Sequence, residues 1–406
     1  MRASLYLALT ACIAACSHPD DGSPATSAPR VVDSSGVRIV THDLEPRERS
    51  GTQVWELDVA PSVQIDSIAR PANPDLHLLT GLTFLDSGEL IVGHGSLREL
   101  LVFDERGDFV RSIGRMGAGP GEFRSLTGPW TTAEGHIVAY DPALRRVTVF
   151  DVDGRLVRTV SVPATALSDS ARLIWQSFGV TSDGVTLLWV DGEPKREGGI
   201  ERPDMWVVAL DTSGTAWPVG GARPGLERYV MPQRRDGSLA LGISPFAASP
   251  LVTACGDRIV VADNQAYALT VTDTDGTVAM ALRATVDQRH ASDADFGAAL
   301  RAQFGPDTDT SEEAIAPARM MTPGGLLPVL RSVHCDAERN IWVEEHPHDS
   351  GRWSRVISFT PAGERRSTFM LPEGMRMLAV KPAAVAVAVK DTLGRERVAV
   401  YSLVDR

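Results

Sequence analysis

A strand–turn–strand unit that recurs down the chain, a last copy one strand short, and an orphan strand pair ahead of the first copy predict an all-β fold. These observations fit a six-bladed β-propeller with four-stranded blades. The repeat spacing is on the order of 40 residues, the period of such blades. An unpaired edge strand is a liability. The ring is therefore expected to close by the N-terminal strand pairing with the C-terminal blade.

The clearest copy centres on residues 101–123. Val102 and Phe103 are strand formers, Asp104-Glu105-Arg106-Gly107 is a turn, and Phe109-Val110-Arg111-Ser112-Ile113 alternates again. The copies run over 82–113, 130–162, 177–219, 251–286, 332–371 and 375–403. The sixth ends on its third strand, Arg397-Val398-Ala399-Val400-Tyr401-Ser402-Leu403. The orphan strands are Val54-Trp55-Glu56-Leu57-Asp58 and Val63-Gln64-Ile65-Asp66.

Ahead of the ring, Arg2 precedes an apolar run over 5–15, shorter than the roughly 20 residues a spanning helix needs. It ends in Ile13-Ala14-Ala15-Cys16, which resembles the lipobox of bacterial lipoproteins. Leu9-Thr10-Ala11-Cys12 fits the same pattern, but Cys16 leaves the longer apolar segment. The organisation expected is a lipoprotein signal peptide over 1–15, a flexible tether over 16–50 and the propeller over 51–406. Polar turn residues such as His18-Pro19-Asp20-Asp21-Gly22 give the tether little to bury, and Val37-Arg38-Ile39-Val40 reads as a stray strand. The resemblance implies a lipid on Cys16 that anchors the protein without spanning, and Ser17 favours the outer membrane. The alternative is an ordinary secretory peptide with a chance cysteine.

The composition agrees. A hydrophobic content of 43% suits a globular core, and 36 glycines with 26 prolines suit a turn-rich β protein. The net charge of -12 disfavours nucleic acid, which needs a basic face.

Gly107 of the first copy leads to Gly114-Arg115-Met116-Gly117-Ala118-Gly119-Pro120-Gly121-Glu122-Phe123. This resembles the NHL-type repeat, and more narrowly the six-bladed β-propeller lipoproteins of bacterial envelopes. The resemblance covers residue 53 to the end and is sharp in the first two copies. It implies a fold and an envelope location, and little chemistry.

Strand parity sorts the loops. Strands alternate direction, so the turns between strands one and two, and between three and four, share a face. The remaining loops share the other. All the tight turns fall on the first face. Long insertions at 191–204, 220–250, 287–330 and 344–354 fall on the second, as loops of a binding surface on a rigid scaffold do. Residues 294–304 have helical spacing and are placed to cap the central channel.

Candidate chemistry is sparse. The glycine-rich stretch lacks the following helix and the G-K-[ST] of a phosphate loop. Asp307-Thr308-Asp309 begins like a calcium loop, but Glu312 and Ala318 stand where glycine and a bidentate carboxylate are needed. No G-x-S-x-G elbow is present. His346 and His348, near Glu344, Glu345 and Asp349, form a weak candidate metal site. Of the inner-strand starts, only His334 offers a good ligand. Cys255 and Cys335 end neighbouring inner strands; a disulfide suits the envelope, provided the strands approach closely enough.

The function expected is a membrane-tethered binding module with no cofactor, presenting its long-loop face to a protein or carbohydrate. Candidate contact residues are Arg115, Arg234, Arg235, Arg352, Trp353 and Arg355, with Trp353 the most exposed anchor; Trp130 and Trp342 are read as core. The alternative is a propeller hydrolase or lyase, such as a metal-dependent lactonase.

Overall fold

The computed structural model describes residues 28–44, 53–68, 75–163, 171–192, 198–231, 241–286, 288–304, 307–347, 353–391 and 395–405. Antiparallel four-strand units follow one another along the chain. Blade one runs from Leu79–Phe84 inside to Phe109–Ile113 outside. Blade two runs from Thr127–Thr131 to Leu156–Ser161, and blade three from Ala171–Val180 to Ala216–Pro218. Blade four runs from Pro250–Cys255 to Val278–Thr285, and blade five from Leu330–Cys335 to Arg365–Pro372. Blade six has Met375–Lys381, Ala384–Lys390 and Glu396–Asp405, and takes its fourth strand, Val63–Ile65, from the N-terminal side.

The core shows why this is a closed ring. Successive strand residues point to opposite sheet faces. Ile137 and Ala139 therefore pack toward blade one, while Val138 and Tyr140 pack toward blade three. The same division gives one apolar cluster at each boundary between neighbouring blades. The last boundary joins Ala386, Val398 and Val400 of blade six to Leu82, Val92 and Leu101 of blade one, with Ile65 between them. An open fan would leave that face wet.

The turns repeat one device. Asp104 Oδ1 accepts the backbone N–H groups of Arg106 and Asp108, and Gly107 takes a φ of 90° that L side chains avoid. Those N–H groups hold the Asp104 carboxyl below its ordinary value. Near the axis, Gly93 is required by proximity: a Cβ there would lie 2.1 Å from the Gly128 carbonyl of blade two.

The N-terminal segment departs from the expected tether. Arg30–Ser34 and Val37–Asp43 form a hairpin, and the second strand pairs in parallel with the outer strand of blade four. Val40 is fully buried, and His42 hydrogen-bonds the Gly363 carbonyl at 2.7 Å. Gln53–Leu57 pairs with the outer strand of blade five and then with Asp405 to Leu403 of blade six. The flexible tether over 16–50 is thus corrected: residues 30–43 are strands that cover a blade edge. The cause is the apolar run expected as a stray strand, which finds an open edge to satisfy its backbone.

Cys255 and Cys335 are joined, with a Cα separation of 5.3 Å, so the inner strands of blades four and five approach closely enough. The bridge spans 80 residues, and chain entropy assigns such a loop roughly 4 kcal/mol. Cys335→Ser should lower unfolding stability by about that amount, and adding reductant to the variant should change nothing further. Urea titration with and without reductant measures both.

Two helices, α1 (Asp293–Phe304) and α2 (Glu312–Met320), lie in the third insertion, so the expected helix is present. Ser311 caps α2 by accepting the Ala314 N–H. No helix among the described residues is long and apolar enough to cross a membrane.

Candidate functional site: the cap on the long-loop face

The four insertions do not project separately; they join into one cap. Gly199–Glu201 of the first pairs with Arg228–Val230 of the second, which pairs in turn with Leu241–Gly242. Phe246 of the second insertion meets Phe296 of α1 with ring centroids 5.1 Å apart. It also meets His346 of the fourth insertion, edge-on at 5.7 Å. Ile315, Ala318 and Leu327 complete this small core. Ser244 and Thr322 share a hydrogen bond beneath it.

Arginine–carboxylate pairs brace the cap and the blade strands beneath it. Arg228 donates through Nε to Glu201 at 2.9 Å and lies 3.5 Å from Asp191, with all three side chains buried. Trp189 Nε1 donates to the same Asp191. Arg202 bridges to Asp263 of blade four and to the Gly225 carbonyl. Arg331 and Ser332 both donate to Glu344. Arg355 grips Glu345 with two parallel bonds of 2.8 Å. Asp191, Glu201, Glu344 and Glu345 are thereby spent on structure rather than left as acid–base groups. Glu227 differs: burial pushes its carboxyl up, against the pull of Arg202.

The predicted site residues fall in different places. Trp353 stands at the cap rim, 44% exposed. Arg355 is corrected: it is buried against Glu345 and offers no exposed contact, because strand pairing sets it under the fourth insertion. Arg115 is exposed but held by Glu122 at 2.8 Å. The glycine-rich stretch around it folds on itself, with Arg146 donating to the carbonyls of Ala118, Gly119 and Glu122. Trp342 is fully buried and Trp130 packs partly buried between blades, as expected of core. Cys12, Cys16, Arg234, Arg235, Arg352 and His348 lie outside the described residues.

The candidate metal pair is placed only in part, because His348 and Asp349 lie outside the described residues. His346 is enclosed by Phe246, and burial pushes its imidazole down to about 4. Burial, helped by Arg376, does the same to His334. Both rings are neutral at neutral pH. Among the described residues, no group of three or more His, Cys, Asp or Glu is placed to hold an ion.

Sequence reasoning missed what the cap shows to solvent. Ile200, Met231, Ile243, Phe304 and Met320 are exposed large apolar residues borne by the insertions. Ile200 lies in an edge strand of the small three-stranded sheet, Met231 directly follows its middle strand, and the Met231 methyl lies beside Gly242, next to Ile243. Apolar residues in supposed loops were the available signal.

Residues 78–189 match a family described as a 6-bladed beta-propeller. A member of the duf4221 family from Bacteroides vulgatus superposes with a TM-score of 0.51 at 12% identity, over 87% of this chain and 100% of that one. A Bacteroides fragilis protein described as exported gives a TM-score of 0.48 at 12% identity, over 91% of this chain and 99% of its own. No curated protein matches. The chain is an all-β propeller, and identities this low speak to fold alone.

Proposed function

We propose that this chain is an envelope binding module, tethered through lipid on Cys16, whose cap docks a protein partner. The observation that carries the reading is that the insertions expose Ile200, Met231, Ile243, Phe304 and Met320, on the side of the ring where Phe246, Phe296 and His346 join the insertions. Monomers rarely expose such groups together without a use, and methionine-rich surfaces adapt to partners. The Cys255–Cys335 bridge suits an oxidising compartment. The net charge of -12 argues against a nucleic-acid partner.

A photo-crosslinking residue at Ile243 should give a discrete envelope adduct. The same residue at Ser213, an exposed turn on the opposite face, should give none. Met231→Asp should remove the Ile243 adduct. Equal labelling at both positions would overturn the reading. A stoichiometric, tightly held ion together with lactone turnover would favour the hydrolase instead.

A further inference from the structure

We propose that the cleft between blades one and two, on the tight-turn face opposite the cap, binds a neutral sugar of one or two rings. The cleft encloses about 370 Å³, within the range of about 300–1,000 Å³ that small-molecule sites occupy. Phe84, Leu85 and Val152 give its lining apolar surface, and Asp86, Ser87 and Thr132 give it polar groups. Apolar surface for ring C–H groups beside short-armed acceptors and hydroxyls is the pattern a polyol needs.

The charges select against other ligands. Arg111 and Glu89 are committed to each other at 2.8 Å, and Asp153 is held by Arg155. Asp86 interacts with Lys381, whose ammonium sits 4.1 Å over the Phe84 ring. The two charges offset each other, so the cleft favours a ligand that carries none.

The walls are also fixed in advance. Arg111 reaches across from blade one to the Val152 carbonyl of blade two at 2.7 Å. Thr83 and Thr131 join the two inner strands at 3.1 Å. Cross-linked walls reduce the ordering cost of binding.

The test is saturation-transfer NMR and calorimetry on the full chain with three probes: maltose, N-acetylglucosamine and putrescine. Saturable binding of at least one of the two sugars is expected. Asp86→Asn should weaken it roughly tenfold, the worth of one charged hydrogen bond. Ser87→Trp, which fills the cleft, should abolish it. Both positions are exposed turn residues, so melting temperature should hold. Ile243→Asp on the cap should leave sugar binding intact, so the proposal stands apart from the cap reading. No sugar binding, sugar binding unchanged by both cleft variants, or preference for putrescine overturns it.

Discussion

Removing residues 53–65 should abolish cooperative unfolding of the ring. That segment supplies Trp55, buried against Trp342 with centroids 6.0 Å apart and capped by Arg366 at 5.5 Å. It also supplies Ile65 at the boundary of blades six and one. The milder change Trp55→Ala should cost about 3–5 kcal/mol, as for other buried aromatics. Native domains hold only about 5–15 kcal/mol in total. Thermal melts followed by tryptophan fluorescence and calorimetry should show a broad, low transition for the deletion. A sharp drop in melting temperature is expected for Trp55→Ala.

The second large effect concerns the buried ion pair between neighbouring strands of blade five. Glu345→Ala leaves the buried Arg355 guanidinium without its two-pronged partner. Breaking such a pair from one side costs about 3–5 kcal/mol, because the stranded charge stays desolvated. Replacing both, as Glu345→Leu with Arg355→Met, should recover most of that loss, since the pair itself returns little over an apolar fill. Urea denaturation of the three variants measures the coupling. A double variant as unstable as the single one would mean that the guanidinium is not the source of the cost.

Much of the ring was legible because its signals are local. The Asp104–Gly107 type of turn repeats in sequence, and the strands between turns alternate in a period of two. Closure was legible by subtraction: blade six lacks an outer strand and Val63–Ile65 lacks a home. What escaped depends on distant partners. The hairpin of residues 30–43 joins blade four through Ile39 and Ala281, a pairing no local pattern announces. Arg228 lies 27 residues from Glu201 and 37 from Asp191, so the buried network has no spacing motif. Trp353 and Arg355 share strand parity, yet one is exposed and the other is not. The difference lies in Glu345, brought opposite only once the blade has formed. The disulfide followed from two inner strands converging on the axis, which is geometry rather than pattern.

The central claim is that the chain's two ends are hydrogen-bonded into one blade. Native-state hydrogen exchange tests it most directly. The backbone N–H of Ser62 donates to the Val400 carbonyl at 2.7 Å, and Val63–Ile65 lies in register with Val398 to Val400. The account predicts that amides in this N-terminal stretch that pair with Glu396–Asp405 exchange as slowly as those of Ala384–Lys390. Amides over 62–65 exchanging at free-peptide rates, while Ala384–Lys390 stays protected, would contradict it.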